Sequence, residues 1–105
     1  MTVYVDNERI QWRDKLWCHL VAESLDELHA FATTLGLQRR WFQHKASYPH
    51  YDVTTAVRER ALLLGALPGT KEQIITSAKL LRTELKVQSA LAAENAHSTR
   101  QLEIA

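Results

Sequence analysis

The sequence holds very little of several residue types on which common protein designs rest. One cysteine, Cys18, stands among 105 residues, so an intrachain disulfide is excluded and no cysteine-based zinc site forms from this chain alone. Charge of one sign is missing as well. Lys and Arg number 13 against 12 Asp and Glu, a formal net charge of +1, which gives no global field for gripping nucleic acid or an anionic membrane. No helix-turn-helix or basic helix is evident, and direct DNA binding is not expected. Long apolar runs are absent: the longest, near Ala61 to Leu67, is far too short to span a bilayer, and no charged start followed by an apolar run opens the chain. These absences, with a length suited to one domain that buries roughly two-thirds of its unfolded surface, lead to the expectation of a soluble cytoplasmic protein.

Glycine and proline are scarce, at 3 and 2, and each marks a boundary. Thr2-Val3-Tyr4-Val5-Asp6 reads as a short strand with Asp6 at its tip, where ligands gather in open α/β sheets. Glu8 to Lys15 reads as a polar loop with Trp12 tucked against the body. Leu16 to Ala22 then reads as an interior strand, apolar on both faces except at His19. Ser24-Leu25-Asp26-Glu27 has the pattern of a capping box, and Gly36 stops the helix that it opens. Leu25, Leu28, Ala32 and Leu35 make its core stripe, while His29 reads as a surface residue. Leu37 to Gln43 reads as a weak strand, and Val53 to Leu64 as a second helix ended by Gly65, with Val57, Ala61 and Leu64 inward. Leu67-Pro68-Gly69 breaks the chain before a second capping box, Thr70-Lys71-Glu72-Gln73. From there a helix to Glu94 runs about 37 Å at roughly 1.5 Å per residue, longer than the body it accompanies. Its apolar stripe is Ile74, Ala78, Leu81, Leu85 and Ala92. The expected architecture is α/β: a compact domain over residues 1–68, two-layered or three-layered on a short sheet, and a helical extension over 69–105 that pairs two copies into a homodimer.

Chemistry concentrates in Phe42 to Asp52, which packs an amide, two imidazoles, two phenols and a carboxylate into eleven residues. In an extended segment residues two apart point the same way, so His50 and Asp52 converge while Tyr51 faces the opposite side. The competing reading is structural: Pro49 marks a turn, and Asp52 caps the amides of the following helix. Likewise His19 reads equally as a satisfied core histidine, and Arg39-Arg40-Trp41 as a solvated rim around one aromatic. Cys18 alternates inward with Leu16 and Leu20, as inert buried cysteines do.

Taken together, Val3-Tyr4-Val5-Asp6, Cys18 to Glu23, Glu27-Leu28-His29, Arg40-Trp41-Phe42-Gln43 and His50-Tyr51-Asp52 resemble the DUF4031 family of small bacterial and phage proteins, in order and spacing, from Met1 to about Thr76. The resemblance implies a compact α/β domain with a polar site at Asp6, His19, His29, Gln43, His50, Tyr51 and Asp52. It implies no established activity. Family members often carry a second acidic residue where Asn7 stands here.

Three functions of different classes follow. In the first, the pocket binds a small nucleotide-like or phosphorylated ligand without turnover, as a phage accessory protein capturing a host signal nucleotide would. Tyr51, Trp41 or Phe42 then stacks a base, Gln43 reads a polar edge, Asp6 contributes a polar contact, and Arg39, Arg40 or Arg58 pairs with phosphate. In the second, Asp6, His19, His50 and Asp52 hold a divalent metal for a hydrolase acting on a phosphorylated or nucleotide substrate, and His50, Asp52 and His19 carry the catalysis. In the third, the chain is a structural or interaction protein and the polar cluster is incidental.

Overall fold

The computed structural model describes residues 2–104, with side chains described through residue 95. Both expected N-terminal strands form, as β1 (Val3–Val5) and the longer Lys15–Ala22, but the loop between them holds a strand of its own, Ile10–Trp12. These are β2 and β3, joined by Arg13 and Asp14 at φ 51° and 61°. Two successive residues at positive φ make a primed turn, whose twist suits a hairpin; the usual sequence for it is Asn-Gly, so Arg-Asp gives little warning. Trp12 is consequently 56% exposed on an edge strand rather than tucked in.

Pairing registers fix how the sheet is laid out. Trp17 pairs both Ile10 and Thr54, and Leu20 pairs both Val5 and Tyr51. A strand has only two edges, so β1 and β2 lie end to end along one edge of β3, and β4 (Tyr51–Thr54) takes the other. Residues Asp6 to Arg9 form the interruption between β1 and β2. On the outer side of β1 runs β5 (Leu67–Pro68), parallel to it.

Alternation along β3 then separates two faces. Cys18, Leu20 and Ala22 share one with Val5, Tyr51 and Val53; Trp17, His19 and Val21 share the other with Asp52 and Thr54. Helix α1 (Leu25–Thr34) covers the first face, with Leu25, Leu28 and Ala32 buried. The Ser24 hydroxyl caps it by accepting from the Glu27 amide at 3.3 Å, and Gly36, at φ 85°, lets the chain turn away. Helix α2 (Thr55–Leu63) is tied to the end of α1 by Arg60 Nη2 donating to the Leu35 carbonyl at 3.2 Å. The Thr54 hydroxyl caps α2 by accepting from the Val57 amide, so Asp52 is a strand residue and leaves that task to Thr54. Leu64, expected inward, is half exposed, whereas Ala61 is buried. The weak strand expected over Leu37 to Gln43 is instead a 3-10 turn, Arg39–Trp41, followed by a single bridge from Gln43 to His50.

Helix α3 (Lys71–Ile104) covers the second face and makes the architecture three-layered. Its capping box is reciprocal: Gln73 N donates to the Thr70 hydroxyl at 3.2 Å, and Thr70 N donates to Gln73 Oε1 at 2.9 Å. Ala78 and Leu81 are fully buried in the same core as the sheet, with Ile74 and Leu85 packed against it. The core therefore continues well past Pro68, and the first half of α3 belongs to the compact body; Ala92, expected on the apolar stripe, is exposed. From Lys86 to Asn95 every residue is exposed, so the helix projects where the body ends.

If α3 is integral to the fold, Leu81→Ala leaves a cavity and lowers stability by about 2–5 kcal/mol, measured by urea denaturation. A loss under about 1 kcal/mol, ordinary for a surface change, would place the helix outside the cooperative unit.

Candidate metal centre

The interruption between β1 and β2 builds the first half of the site. With the chain leaving the ladder after Val5, Asp6 N still donates to the His19 carbonyl at 3.0 Å, while the Asp6 side chain takes over what the next strand residue would have done. Its Oδ1 accepts from the His19 amide at 2.8 Å, and its Oδ2 accepts from His19 Nδ1 at 2.6 Å. Glu8 N adds a longer contact to Oδ1 at 3.4 Å. Arg58, from α2, reaches the same residue from behind and donates from Nε to the Asp6 carbonyl at 2.7 Å.

The second half comes from β4 and the residue before it. His19 and Asp52 are direct cross-strand partners, and His50, two residues before Asp52, emerges on the same face. His50 Nδ1 donates to the Tyr48 carbonyl at 2.6 Å, and its Nε2 lies 3.1 Å from Asp52 Oδ1. The two imidazoles meet edge to face, centroids 4.8 Å apart at 86°. One ligand atom each from His19, His50 and Asp52 falls within 4.8 Å of the others.

Protonation states follow from what each partner is able to do. A carboxylate and a carbonyl only accept, so the Nδ1 proton is present on both rings, and in the neutral form each Nε2 carries a lone pair. For Asp6, burial pushes the carboxyl up, but hydrogen bonds from the His19 ring and amide, with the nearby imidazole charge, outweigh it and hold the group below 3.8. His19 moves the other way. The Asp6 hydrogen bond raises it above 6.5 against the opposing effect of burial, and the charges of Asp6, Asp52 and Glu8 add to the rise.

The residues expected to serve the site thus separate. Asp6, His19, His50 and Asp52 come together, with Asp6 standing behind His19 rather than beside the other ligand atoms. Tyr51, expected to stack a base, is on the opposite face and 1% exposed. Its hydroxyl shares a 2.8 Å hydrogen bond with His29 Nδ1. His29 is itself buried, against the surface position expected for it, and burial followed by the charge of Arg39 lowers its pKa. Phe42 closes this second cluster, its ring 4.8 Å from His29 and 5.3 Å from Tyr51. Trp41, Arg40 and Gln43 line a separate cavity that reaches the centre only through Asp52. Arg39 lies with Arg40 beside His29. Arg58 supports Asp6 and pairs with Glu59 at 3.4 Å.

Residues 3–81 match the family described as a protein of unknown function, DUF4031. The chain belongs to the DUF4031 family. No curated protein and no solved structure matches it. The match ends at Leu81, the last fully buried residue of α3 among the described side chains, so the DUF4031 unit and the continuous core have nearly the same extent. Among the described residues no helix is long and apolar enough to cross a membrane.

Sequence reasoning missed the cavity of about 380 Å³ that opens on His19 and His50 beneath α3. Its walls are Val21 from the sheet and Ile74, Ile75 and Ala78 from the helix, with Lys71 at the rim. The amphipathic pattern of α3 gave the apolar side of that wall, but a contact between residues so far apart in the chain left no local signature.

The linked shifts define a pH window for metal-free protein. His19 contributes stability that is complete below 6.5 and disappears as pH rises through its raised value. Asp6 contributes stability present above 3.8 and lost as pH falls through its depressed value. Urea denaturation of wild type and Asp6→Asn should therefore differ most between about pH 3.8 and pH 6.5. A difference that does not vary with pH would mean that the charged pair does not form.

Proposed function

We propose that DUF4031 residues His19, His50 and Asp52 form a divalent-metal centre for hydrolysis of a small phosphorylated or nucleotide-like substrate. One observation carries this reading. His50 has committed its Nδ1 proton to the Tyr48 carbonyl, yet its Nε2 faces the Asp52 carboxylate at 3.1 Å. A lone pair against a carboxylate is unfavourable unless positive charge lies between or on them, which means either a second ring proton or a metal ion. Two ligands bound to one ion at about 2.1 Å stand roughly 3.0–3.4 Å apart, close to the separation seen. The support behind His19 agrees: a ligating histidine ordinarily gives its other N–H to a carboxylate or carbonyl, and His19 and His50 each do one of these.

Two imidazoles and one carboxylate suit zinc, manganese or iron and leave coordination positions open. Such an ion supplies Lewis acidity and makes water a nucleophile near neutral pH. In phosphoester hydrolysis the water oxygen bonds to phosphorus, the ester P–O bond breaks, and the departing oxygen takes a proton. Glu8, which lines the same cavity as His19, would accept the proton that water gives up, and Lys71, also on its lining, would pair with phosphate. Capture without turnover is the second reading, supported by the aliphatic wall from Val21, Ile74, Ile75 and Ala78.

Titration calorimetry of the full chain with Zn²⁺, Mn²⁺ and Fe²⁺ tests the centre. We expect one ion per chain, severe loss of binding in His50→Ala and Asp52→Ala, and a loss of about 10- to 100-fold in Asp6→Asn, which alters the support behind a ligand. Unaltered binding in His50→Ala rejects the site. Hydrolysis of nucleotide phosphoesters that chelation stops and added metal restores identifies turnover; stoichiometric ligand released on denaturation, with no hydrolysis, identifies capture.

We also propose that the chain forms a homodimer through an exposed stripe of α3 that begins on the compact body and runs into the projecting part. Leu80, Val87 and Leu91 are 48%, 52% and 52% exposed and recur at seven- and four-residue steps, the spacing of a helix-pairing seam. Pairing would remove this stripe from water. Truncation after Pro68 would also strip Ala78 and Leu81 from the core, so the appropriate variant is Val87→Glu with Leu91→Glu. Light scattering should give a dimer for wild type and a monomer for the variant; a monomeric wild type rejects the pairing.

A further inference from the structure

On the other side of Asp52 from the α3 cavity, the surface carries aromatic rings where a small protein ordinarily avoids them. Trp12 is 56% exposed and Trp41 45%. With Trp17 they border a cavity of about 490 Å³ that also takes in Arg40, Gln43 and Asp52. Part of this arrangement has a structural explanation. Trp12 and Trp17 pack edge to face across the hairpin at 6.0 Å, the Trp17 indole N–H donates to the Trp12 carbonyl at 3.0 Å, and Arg13 covers the Trp12 ring at 4.4 Å. Trp41 has no such explanation. It arrives from the 3-10 turn rather than the hairpin, and its ring meets no other aromatic ring among the described residues.

The polar groups around it are also uncommitted. Neither Arg40 nor the Gln43 amide makes a side-chain hydrogen bond or ion pair among the described residues, although both line the cavity. Flat aromatic walls, an amide with both donor and acceptor, and an unpaired guanidinium match the three parts of a nucleotide unit: the base face, the base edge and the phosphate. An aliphatic ligand would leave the amide and guanidinium unused, and a simple anion would leave the rings unused. Charge also sets the orientation. The Asp52 carboxylate repels phosphate, so the phosphate belongs on the Arg40 side and the base against Trp41.

We infer that the tryptophan cavity is a nucleotide subsite, in which Trp41 stacks the base, Gln43 hydrogen-bonds its edge and Arg40 pairs with its phosphate. A neighbouring recess, bordered by Trp12, Trp17, His19 and Asp52, continues the aromatic surface from this cavity to the candidate metal ligands. A nucleotide held here therefore lies beside the centre without occupying it. The subsite requires no metal, so it stands or falls separately from the hydrolytic reading.

The test uses full-length protein stripped of metal and follows tryptophan fluorescence on addition of adenosine monophosphate, with ribose 5-phosphate as the base-free probe. Saturable quenching by adenosine monophosphate alone is expected. Trp41→Ala should weaken it by about 5- to 150-fold, equivalent to the ~1–3 kcal/mol of one stacked base, while circular dichroism shows the fold retained. Arg40→Ala should weaken adenosine monophosphate binding more than adenosine binding. No saturable response, an equal response to ribose 5-phosphate, or Trp41→Ala binding as wild type overturns the assignment. A short single-stranded oligothymidylate identifies the source: tighter, steeply salt-dependent binding indicates a nucleotide within a strand, and weaker binding a free nucleotide.

Discussion

Asp6 replaces a strand residue with a side chain, and most of the site depends on that replacement. Where β1 leaves the edge of β3, the His19 amide would lack a ladder partner, which is costly for a backbone donor shielded from water. The Asp6 carboxylate accepts that amide at 2.8 Å and the imidazole N–H at 2.6 Å, so one group repairs the sheet and orients the ring. Arg58 then anchors the Asp6 backbone from α2. The interruption also frees Ile10 to Trp12 to re-form a strand further along β3, which carries Trp12 to the surface. A structural repair, a fixed histidine and an exposed indole thus share one cause.

What could be read from the sequence was whatever local chemistry determines. The Thr70 capping box announced itself because both partners lie within four residues, and both halves are made. His50 and Asp52 were legible as a pair because alternation acts over two residues, and the cross-strand register adds His19 to them. Positions set by distant partners were not legible. Arg13-Asp14 adopts a turn normally signalled by Asn-Gly, and Asp52 looks like a helix cap until β4 extends to Thr54, whose hydroxyl is better placed. His29 follows a helical pattern that puts it beside the core stripe, but only the position of Tyr51 in β4 gives it a buried hydrogen-bond partner.

The two histidine environments show how the sheet divides labour between its faces. Under α1, His29, Tyr51 and Phe42 form a closed cluster in which burial favours the neutral imidazole and neutral phenol. This is the behaviour of a polar pair that specifies packing. On the opposite face, His19 retains a proton more strongly because a carboxylate supports it. Two aromatic polar clusters separated by one layer of backbone therefore have opposite electrostatic character.

That second cluster is also unusual in being approached from two sides. His19 and His50 face the aliphatic cavity beneath α3, whereas Asp52 faces the tryptophan cavity and shares with His19 the recess between them. A site at the bottom of one pocket must admit substrate and water by the same route, so binding one hinders the other. Here the sheet edge itself is the partition. A nucleotide held on the tryptophan side, its phosphate turned to Arg40, would lie beside the proposed centre and leave the α3 side, with Glu8 on its wall, open to substrate and water. The first half of α3 supplies the wall of that second approach through Ile74, Ile75 and Ala78, which is why it belongs to the compact body, whereas from Lys86 to Asn95 every residue is exposed.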